Sequence, residues 1–265
     1  MRFPFGQNWR SFLSHVGEKR VAVAEDALRQ SLGRTSLSGW RALDIGSGSG
    51  LSSLAMRRLG AHVVSFDYDR DSVACTEELR RRYDGGDRNW EVLEGSALDA
   101  QFMSALGTFD LVYAWGVLHH TGAMWRSIEL AQQRVAAGGV LLIALYNDQG
   151  WRSRVWYHIK RLYCSHALGR ALVCAIFYPL FALYAIGVDL VHLRAPGSHM
   201  REYGRTRGMS ITHDWRDWLG GYPFEVARPE EIRARLGASG FSVVREQLTR
   251  GWGCNELVLA KSGPP

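Results

Sequence analysis

The 265-residue sequence lacks the features that would place it outside the ordinary globular proteins. It contains no low-complexity tract, and with 46% hydrophobic and 22% charged residues it can form a sizeable core. Its four cysteines, at positions 75, 164, 174 and 254, include no CxxC pair, which argues against a disulfide framework and a structural zinc site. The first residues contain no apolar run of the kind that a secretory signal needs, so we expect a cytoplasmic protein with free thiols.

Acidic residues are absent from one long stretch of the chain. None occurs from Gln149 to Val188, although the whole chain has 26 acidic and 32 basic residues. Within this stretch residues 171–188, ALVCAIFYPLFALYAIGV, carry no charge, and their length approaches the roughly 20 apolar residues that cross a bilayer. The net charge of +6 favours phosphate or anionic lipid as a partner without choosing between them.

The most informative segment is a glycine-rich turn between two predicted strands. Residues 41–45 form a short apolar strand, Gly46, Gly48 and Gly50 follow in alternation, and a helix then leads to a second strand that ends at Asp67. Alternating glycines let the backbone turn tightly against a ligand. An acid at the end of the second strand is placed to accept hydrogen bonds from ribose hydroxyls. The unit therefore predicts a nucleotide site at the carboxyl edge of a parallel sheet.

The spacing of the glycines distinguishes between cofactors. A dinucleotide site would have GxGxxG, but here the third glycine comes one residue early and Leu51 occupies the expected place. Asp44 precedes the first glycine, and an acid there suits a cationic ligand better than a pyrophosphate. The pattern DxGxGxG with a strand-end acid resembles the class I S-adenosylmethionine-dependent methyltransferases. The resemblance is to the ubiquinone-biosynthesis-like group in particular, whose members carry a similar VLHH after the fourth strand.

The resemblance implies a fold and a division of the chain. We expect a Rossmann-like α/β fold: a doubly wound, seven-stranded mixed sheet with helices on both faces and a helical insert after the fifth strand. The expected parts are an N-terminal helical or lid segment (1–37), a cofactor-binding core (38–148), a helical substrate-side insert (149–227), and a last helix with the last two strands (228–265).

The same resemblance implies S-adenosylmethionine as the cofactor, with S-adenosylhomocysteine (SAH) as its product. The loop after the third strand would contact the adenine, and there Asp99 would face its amino group or merely cap a helix. Trp115 would border the methionine part, where an aromatic face suits a sulfonium cation. The predicted cofactor-binding residues are Asp44, Gly46, Ser47, Gly48, Gly50, Asp67, Tyr68, Ser96, Ala97, Leu98, Asp99, Trp115 and Gly116.

Candidate catalytic residues follow the fourth and fifth strands at the same edge of the sheet. His119 and His120 can supply a base of near-neutral pKa for a hydroxyl nucleophile, and we favour His119 as the base or substrate-orienting group. Tyr146 and Asn147 end the fifth strand and are expected to contact the substrate or to cap a helix. Because adjacent side chains rarely converge on one ion, we predict no metal site.

Two segments outside the core motif have open interpretations. In this fold a segment such as FGQNW (5–9) often closes over the cofactor, which would give Asn8 and Trp9 a role in a lid; the alternative is a helix packed on the surface. The apolar run cannot cross a membrane once, because the strands on either side of it must share one sheet. It therefore forms two short helices bent at Pro179 that roof the active site, or a dimer interface, or a shallow membrane contact within 151–193.

These observations predict an enzyme that transfers a methyl group to a small or lipophilic molecule, at a hydroxyl oxygen. One alternative is an RNA or protein methyltransferase, which the basic charge favours. The chain lacks an Asn/Asp-Pro-Pro-aromatic motif after the fourth strand, so nucleic acid is not the expected partner. Another alternative keeps the cofactor as a scaffold for different chemistry or for binding. The expected location is cytoplasmic, with the insert leaving open a peripheral contact at the inner face of the membrane.

Overall fold

Seven strands form one mixed sheet in the order β3-β2-β1-β4-β5-β7-β6. The structure is a computed structural model that describes residues 3–13, 16–85, 88–195, 197–198, 200–201 and 211–263. The strands are β1 (Arg41–Ile45), β2 (His62–Asp67), β3 (Trp90–Glu94), β4 (Phe109–Trp115), β5 (Val135–Tyr146), β6 (Phe241–Gln247) and β7 (Cys254–Lys261).

The described helices alternate with the strands through the first half of the chain and then accumulate after β5. They are α1 (Phe5–Leu13), α2 (Glu18–Leu32), α3 (Leu51–Arg58), α4 (Arg70–Tyr83), α5 (Ala100–Ala105), α6 (Met124–Gln132), α7 (Trp151–Ser165), α8 (Ala167–Val191), α9 (Ile211–Gly220) and α10 (Pro229–Ala238). A short 3₁₀ turn, Leu118–His120, follows β4.

Strand direction confirms the predicted fold class. β1 pairs in parallel with β2 and β4, and β4 pairs in parallel with β5, whereas β7 runs antiparallel to both β5 and β6. The chain moves outward from β1 to β3 on one side and from β4 to β5 on the other. A crevice therefore opens beyond the carboxyl ends of β1 and β4, the position where open α/β sheets bind ligands.

Helices cover both faces of the sheet, as the pattern of alternating strands and helices predicts. Leu54 of α3 and Leu79 of α4 pack on one face, where α2 also lies. Ile128 of α6 and Ile232 of α10 pack on the other. Since helices cover both faces at the centre of the sheet, β1 and β4 are largely buried and hold their carboxyl ends in fixed positions.

A third, smaller core is largely aromatic and belongs to the insert. Trp156 and Tyr163 of α7, Val173 of α8 and Leu219 of α9 are buried there together with Phe3 from the N-terminal segment. The insert is thus attached to the rest of the molecule by its own packed cluster, which lies next to the end of β5.

The arrangement of the apolar run differs from the expected pair of helices bent at Pro179. α8 is one helix of 25 residues, and Pro179 lies inside it. A proline there removes one main-chain hydrogen bond and normally disrupts a helix. Val173 and Phe177 before the proline and Phe181 after it pack on the same aromatic cluster, so tertiary packing holds both halves of the helix.

Candidate functional site

A cavity of about 1120 Å³ lies at the carboxyl edge of the sheet, where β1, β2 and β4 end. It brings together residues that are far apart in the sequence, from the N-terminal segment to β7. Among the residues predicted from the sequence, those that line it are Asp44, Gly46, Ser47, Gly48, Asp67, Tyr68, Ser96, Ala97, Trp115, Gly116, His119, His120 and Tyr146. Gly50, Leu98, Asp99 and Asn147 do not line it.

The glycine turn forms the floor of this cavity because side chains would not fit there. Gly46 has φ +72°, and a Cβ on it would lie 2.2 Å from Cγ2 of Val117. Gly48 has φ +56°, and a Cβ there would lie 2.9 Å from the indole of Trp9. Both the left-handed backbone and the close neighbours therefore require glycine at these two positions.

Gly50 has a different role from the other two glycines. It precedes α3 with φ +80°, and a Cβ on it would lie 2.9 Å from Cα of Thr76 in α4. Its lack of a side chain lets the start of α3 approach α4. The position supports the turn by helix packing, while the cavity itself is bordered by Gly46 and Gly48.

Asp67 is fixed by backbone hydrogen bonds at the rim of the cavity. One carboxylate oxygen accepts from the N–H of Gly48 at 3.0 Å, and the other accepts from the N–H of Asp69 at 2.9 Å. Burial raises the pKa of Asp67, while these two hydrogen bonds act to lower it. The carboxylate thus closes the turn and also presents negative charge to the cavity.

Asp44 is buried beneath the turn at the end of a chain of hydroxyl groups. Its Oδ2 accepts a hydrogen bond of 2.5 Å from Ser53, whose Oγ accepts one from Ser65, which in turn accepts one from the indole N–H of Trp90. Burial raises the pKa of Asp44 to about 7, with the neighbouring charge of Asp67 acting in the same direction and the Ser53 hydrogen bond against it. A cation in the cavity would favour the ionised form.

The loop after β3 contributes only part of what its sequence suggested. Ser96 and Ala97 line the cavity. Leu98 is half-buried and bonds through its N–H to Oγ of Ser96 at 3.2 Å. Asp99 is the N-cap of α5 and accepts from the N–H groups of Gln101 and Phe102 at 2.9 and 3.0 Å. The capping alternative for Asp99 is therefore the one seen in the structure.

His119 is fully buried against the cavity and against Tyr146, whose ring centroid is 4.0 Å from its own. Neither ring nitrogen has a hydrogen-bond partner of normal geometry among the described residues, and the backbone of Ala144 contributes only a weak contact. Burial, and then the neighbouring His120 and Lys160, lower the pKa of His119 well below its usual value. A neutral imidazole with unpaired nitrogens is a group that a bound ligand can satisfy.

His120 is held in a different way. Its Nδ1 lies 2.7 Å from the carbonyl oxygen of Pro223. Because a carbonyl only accepts, Nδ1 carries the proton, and in the neutral ring Nε2 is the basic nitrogen. The rings of Phe5 and Tyr146 pack on the imidazole with centroids 4.9 and 5.4 Å away. These contacts hold the His120 ring in a fixed orientation in the cavity wall.

Asn147 lies next to Tyr146 but serves the β6–β7 connection. Its Nδ2 donates to the carbonyls of Thr249 and Gly251, and its Oδ1 accepts from Asn255 at 3.1 Å. These bonds tie the end of β5 to the last hairpin. The structure thus places Asn147 in the scaffold beside the cavity and does not bring it to the predicted substrate side.

The N-terminal helix α1 covers the glycine end of the cavity. The N–H of Gly6 donates to Asp69 at 2.9 Å, and Arg10 forms a 2.6 Å ion pair with Asp71. Trp9 lines the cavity, whereas Asn8 is buried outside its lining. The helix is therefore in the closing position that was expected for a lid, and its opening and closing stay a prediction.

Several lining residues other than Phe5, which lies in the predicted lid segment, had no sequence signal. The aromatic walls come from Phe3, Phe5, Phe12 and Trp218, which lie at opposite ends of the chain. Glu256 reaches the cavity because antiparallel β7 places it beside Ala144 of β5. The alternating pattern of β7 shows that Glu256 is a polar strand residue, but only its pairing register with β5 shows that it lies at the cavity.

The residues that are present fit a nucleoside with a cationic group. At the turn, a Cβ on Gly46 would overlap the side chain of Val117, and Asp44 and Asp67 place two carboxyl groups beside the turn. The unpaired nitrogens of His119 border the same space. Such a set can bind ribose hydroxyls and a positive charge at one end and an apolar acceptor molecule at the other.

Comparisons with known proteins agree with this geometry. The family model described as a methyltransferase domain matches residues 43–141. A ubiquinone biosynthesis O-methyltransferase of Caulobacter sp. is 29% identical over 248 residues, which cover 91% of this chain and 75% of that protein. A tRNA U34 carboxymethyltransferase of Edwardsiella ictaluri is 31% identical over 107 residues, 40% of this chain and 32% of the relative.

The fold is also shared with solved structures. Magnesium protoporphyrin IX methyltransferase from Synechocystis PCC 6803 with bound SAH superposes with a TM-score of 0.57 at 16% identity, covering 97% of this chain and 94% of that one. At this identity the likeness concerns the fold. This likeness and the sequence matches both indicate that the glycine turn and the cavity belong to a methyltransferase fold.

Proposed function

Since the chain belongs to the class I S-adenosylmethionine-dependent methyltransferases, we propose that it methylates a hydroxyl oxygen of a small, lipophilic molecule. The observation that carries this proposal is a single cavity with two unlike ends. The glycine turn and two acids form one end, and His120 stands among aromatic rings at the other.

The cofactor is S-adenosylmethionine, which when bound supplies an electrophilic methyl group on a positively charged sulfur. In our proposal Gly46 and Gly48 let the backbone approach it, Asp67 accepts hydrogen bonds from its ribose, and Asp44 contributes negative charge beneath the turn. Trp9 of α1 and the ring of Trp115 border the same space and exclude water from it.

His120 is the base in this proposal. With Nδ1 donating to the Pro223 carbonyl, Nε2 accepts the proton of the acceptor hydroxyl. The sequence favoured His119 for this role, but its complete burial and lowered pKa suit a neutral group that positions a ligand. His119 then orients the acceptor or the cofactor through its unpaired nitrogens, and Tyr146, stacked on it, keeps the ring in place.

The acceptor class follows from the other wall of the cavity. Phe3, Phe5 and Trp218 supply apolar surface near the histidines, which favours a ring or chain with few charges. The relative from Caulobacter is named for O-methylation in ubiquinone biosynthesis, and this supports both an oxygen acceptor and a lipophilic one. The match to the tRNA-modifying relative covers only 40% of this chain, so it lends no support to an RNA substrate.

The experiment combines a substrate panel with a pair of histidine variants. The full-length protein is incubated with S-adenosylmethionine and catechols bearing alkyl tails of increasing length, matched aniline analogues and total tRNA, and SAH release is measured by mass spectrometry. We expect turnover of the catechols that improves with tail length. His120→Asn should lower turnover by about 10²–10⁴-fold while cofactor affinity changes less than about twofold.

The matched control is His62→Asn, since His62 is exposed at the start of β2, away from the cavity. It should leave turnover unchanged. If the anilines or tRNA are methylated and the catechols are not, the oxygen acceptor is wrong. If His120→Asn turns over at the wild-type rate while His119→Asn does not, the base is His119.

A further inference from the structure

Helix α8 exposes an apolar face along its whole length. It is the one helix in the described part of the chain that is long and apolar enough to cross a membrane by length and composition, yet only 11% of its most apolar window is buried. At 1.5 Å per residue its 25 residues extend for about 37 Å. The α8 apolar face consists of Leu168, Leu172, Ile176, Leu180, Leu183, Tyr184, Leu190 and Val191.

The opposite side of α8 is already occupied. Val173 and Ala185 are buried, and Phe177 and Phe181 pack on the aromatic cluster of the insert. The helix therefore lies along the protein surface, and one side of it is fixed there. A contiguous apolar face of this size on a single chain indicates a binding surface for something apolar.

Charge in the part of the chain that contains α7 and α8 is strongly one-sided. Residues 149–194 contain six basic residues and one acidic residue. The acid, Asp189, is buried and its carboxylate accepts the N–H of Gly197 at 2.8 Å, so it adds no negative charge to the surface. Arg152, Arg154 and Arg161 are exposed on α7 and form no ion pair with any residue that the structure describes.

This combination identifies the partner. An exposed apolar face on α8, together with exposed arginines on the preceding helix α7, matches an anionic bilayer, whose acyl chains would contact the leucines and whose headgroups would pair with the arginines. Trp151, 64% exposed at the start of α7, and Tyr184, 72% exposed on α8, are residue types that prefer the headgroup level. A symmetric dimer through the same face would instead bring like charges from two copies together.

We propose that α7 and α8 dock this protein on the surface of an anionic membrane, with α8 lying in the plane of the headgroups. The inference is independent of which atom the enzyme methylates. The docked layer also adjoins the active cavity: Lys160 of α7 lies 5.9 Å from the ring centroid of Tyr146, which lines the cavity. A lipophilic acceptor would thus travel a short path from the bilayer.

The test is co-sedimentation of the full-length protein with vesicles. Vesicles of phosphatidylcholine alone are compared with vesicles containing one-third phosphatidylglycerol, at low and high salt. We expect binding to the anionic vesicles only, and weaker binding at high salt, because 1 M salt shortens the screening length from about 10 Å to about 3 Å.

Two sets of variants separate the apolar and charged contributions. Leu183→Glu should reduce binding by about tenfold or more, since it removes apolar burial and adds like charge to anionic lipid. Replacing Arg152 and Arg154 by glutamine should reduce it by about fivefold for each arginine. The matched control is Val23→Glu on α2, because Val23 is 69% exposed and Leu183 is 65% exposed.

Calorimetry with S-adenosylmethionine and thermal unfolding check that each variant is folded. The proposal is overturned if the wild-type protein does not sediment with anionic vesicles, or if Val23→Glu weakens binding as much as Leu183→Glu does. It is also overturned if ultracentrifugation without lipid shows a dimer that Leu183→Glu converts to monomer. In that case the α8 apolar face is occupied by a second copy of the chain.

Discussion

Residues 38–148 and residues 149–227 differ in how far they bury their apolar side chains. In the first region Leu43, Ile45 and Phe66 are at most 1% exposed, and the strands that carry them are covered on both faces. In the second region α8 buries one side only, and Leu183 on the other side is 65% exposed. The first region buries its apolar side chains in the core around the sheet, whereas the second presents apolar surface that suits a further partner.

Charge is distributed in opposite ways as well. The core buries acids: Asp44 and Asp67 lie at its cavity, and their pKa values are raised by burial. The insert exposes bases, among them Arg152 and Arg154. In our proposals, the core binds a small cationic ligand and the insert binds an extended anionic surface. Substitutions in one region should leave the other's binding unchanged.

The largest expected effect is on the cofactor end. Asp67→Ala removes the acceptor for the Gly48 N–H and a carboxylate from the cavity. Hydrogen bonds to a charged group contribute about 1.5–3 kcal/mol each, so the affinity for S-adenosylmethionine should fall by about 100-fold in calorimetry. Sedimentation with anionic vesicles should be unchanged.

The control for that substitution is Glu94→Ala. Glu94 also ends a strand of the sheet, but it pairs with exposed Arg70 at 2.9 Å and does not line the cavity. It should alter cofactor affinity less than about twofold, the size expected of a surface ion pair. Equal losses in the two variants would contradict the role given to Asp67.

A smaller effect concerns pH. The pKa of Asp44 in the folded protein, about 7, is above its value in the unfolded chain. Without cofactor, the free energy of unfolding is therefore larger at low pH, where Asp44 is protonated, and falls as the pH rises toward 7. A cationic cofactor favours the ionised carboxylate, so its affinity should rise by about tenfold from pH 6 to pH 8. Asp67 and Tyr113 are the titratable neighbours of Asp44.

Calorimetry across this pH range, with Asp44→Asn for comparison, checks the assignment. The asparagine keeps the shape of the side chain and cannot ionise, so the affinity should lose its pH dependence. A slope that survives in Asp44→Asn would assign the titration to another group, and Asp67 would be the next to test.

The smallest effect is expected in the insert. Pro179→Ala restores a main-chain donor inside α8 and removes a residue that costs about 3 kcal/mol in a helix interior. Because packing already holds both halves, we expect a gain of only about 1 kcal/mol in the free energy of unfolding, measured in urea. Cofactor affinity should not change. A change in affinity would mean that the two regions are coupled.

Local sequence patterns are sufficient to predict the fold class and most of the cofactor end of the cavity. The predicted strand over residues 41–45 and the predicted strand end at Asp67 are where the structure has them, because buried parallel strands and Gly-rich turns leave strong local patterns. The choice of cofactor rested on Asp44 and the alternating glycines, and the comparisons support it. These features are encoded within a few neighbouring residues.

The way in which distant residues share the site depends on long-range packing. Gly50 supports helix packing, Asn147 holds the last hairpin, and Glu256 enters the cavity through the register of β7. The contrast between His119 and His120 depends on burial and on the Pro223 carbonyl, 103 residues from His120. The exposure of α8 depends on which side packs on the aromatic cluster. Burial, hydrogen-bond partners and exposure of this kind depend on long-range packing, which local sequence patterns do not predict.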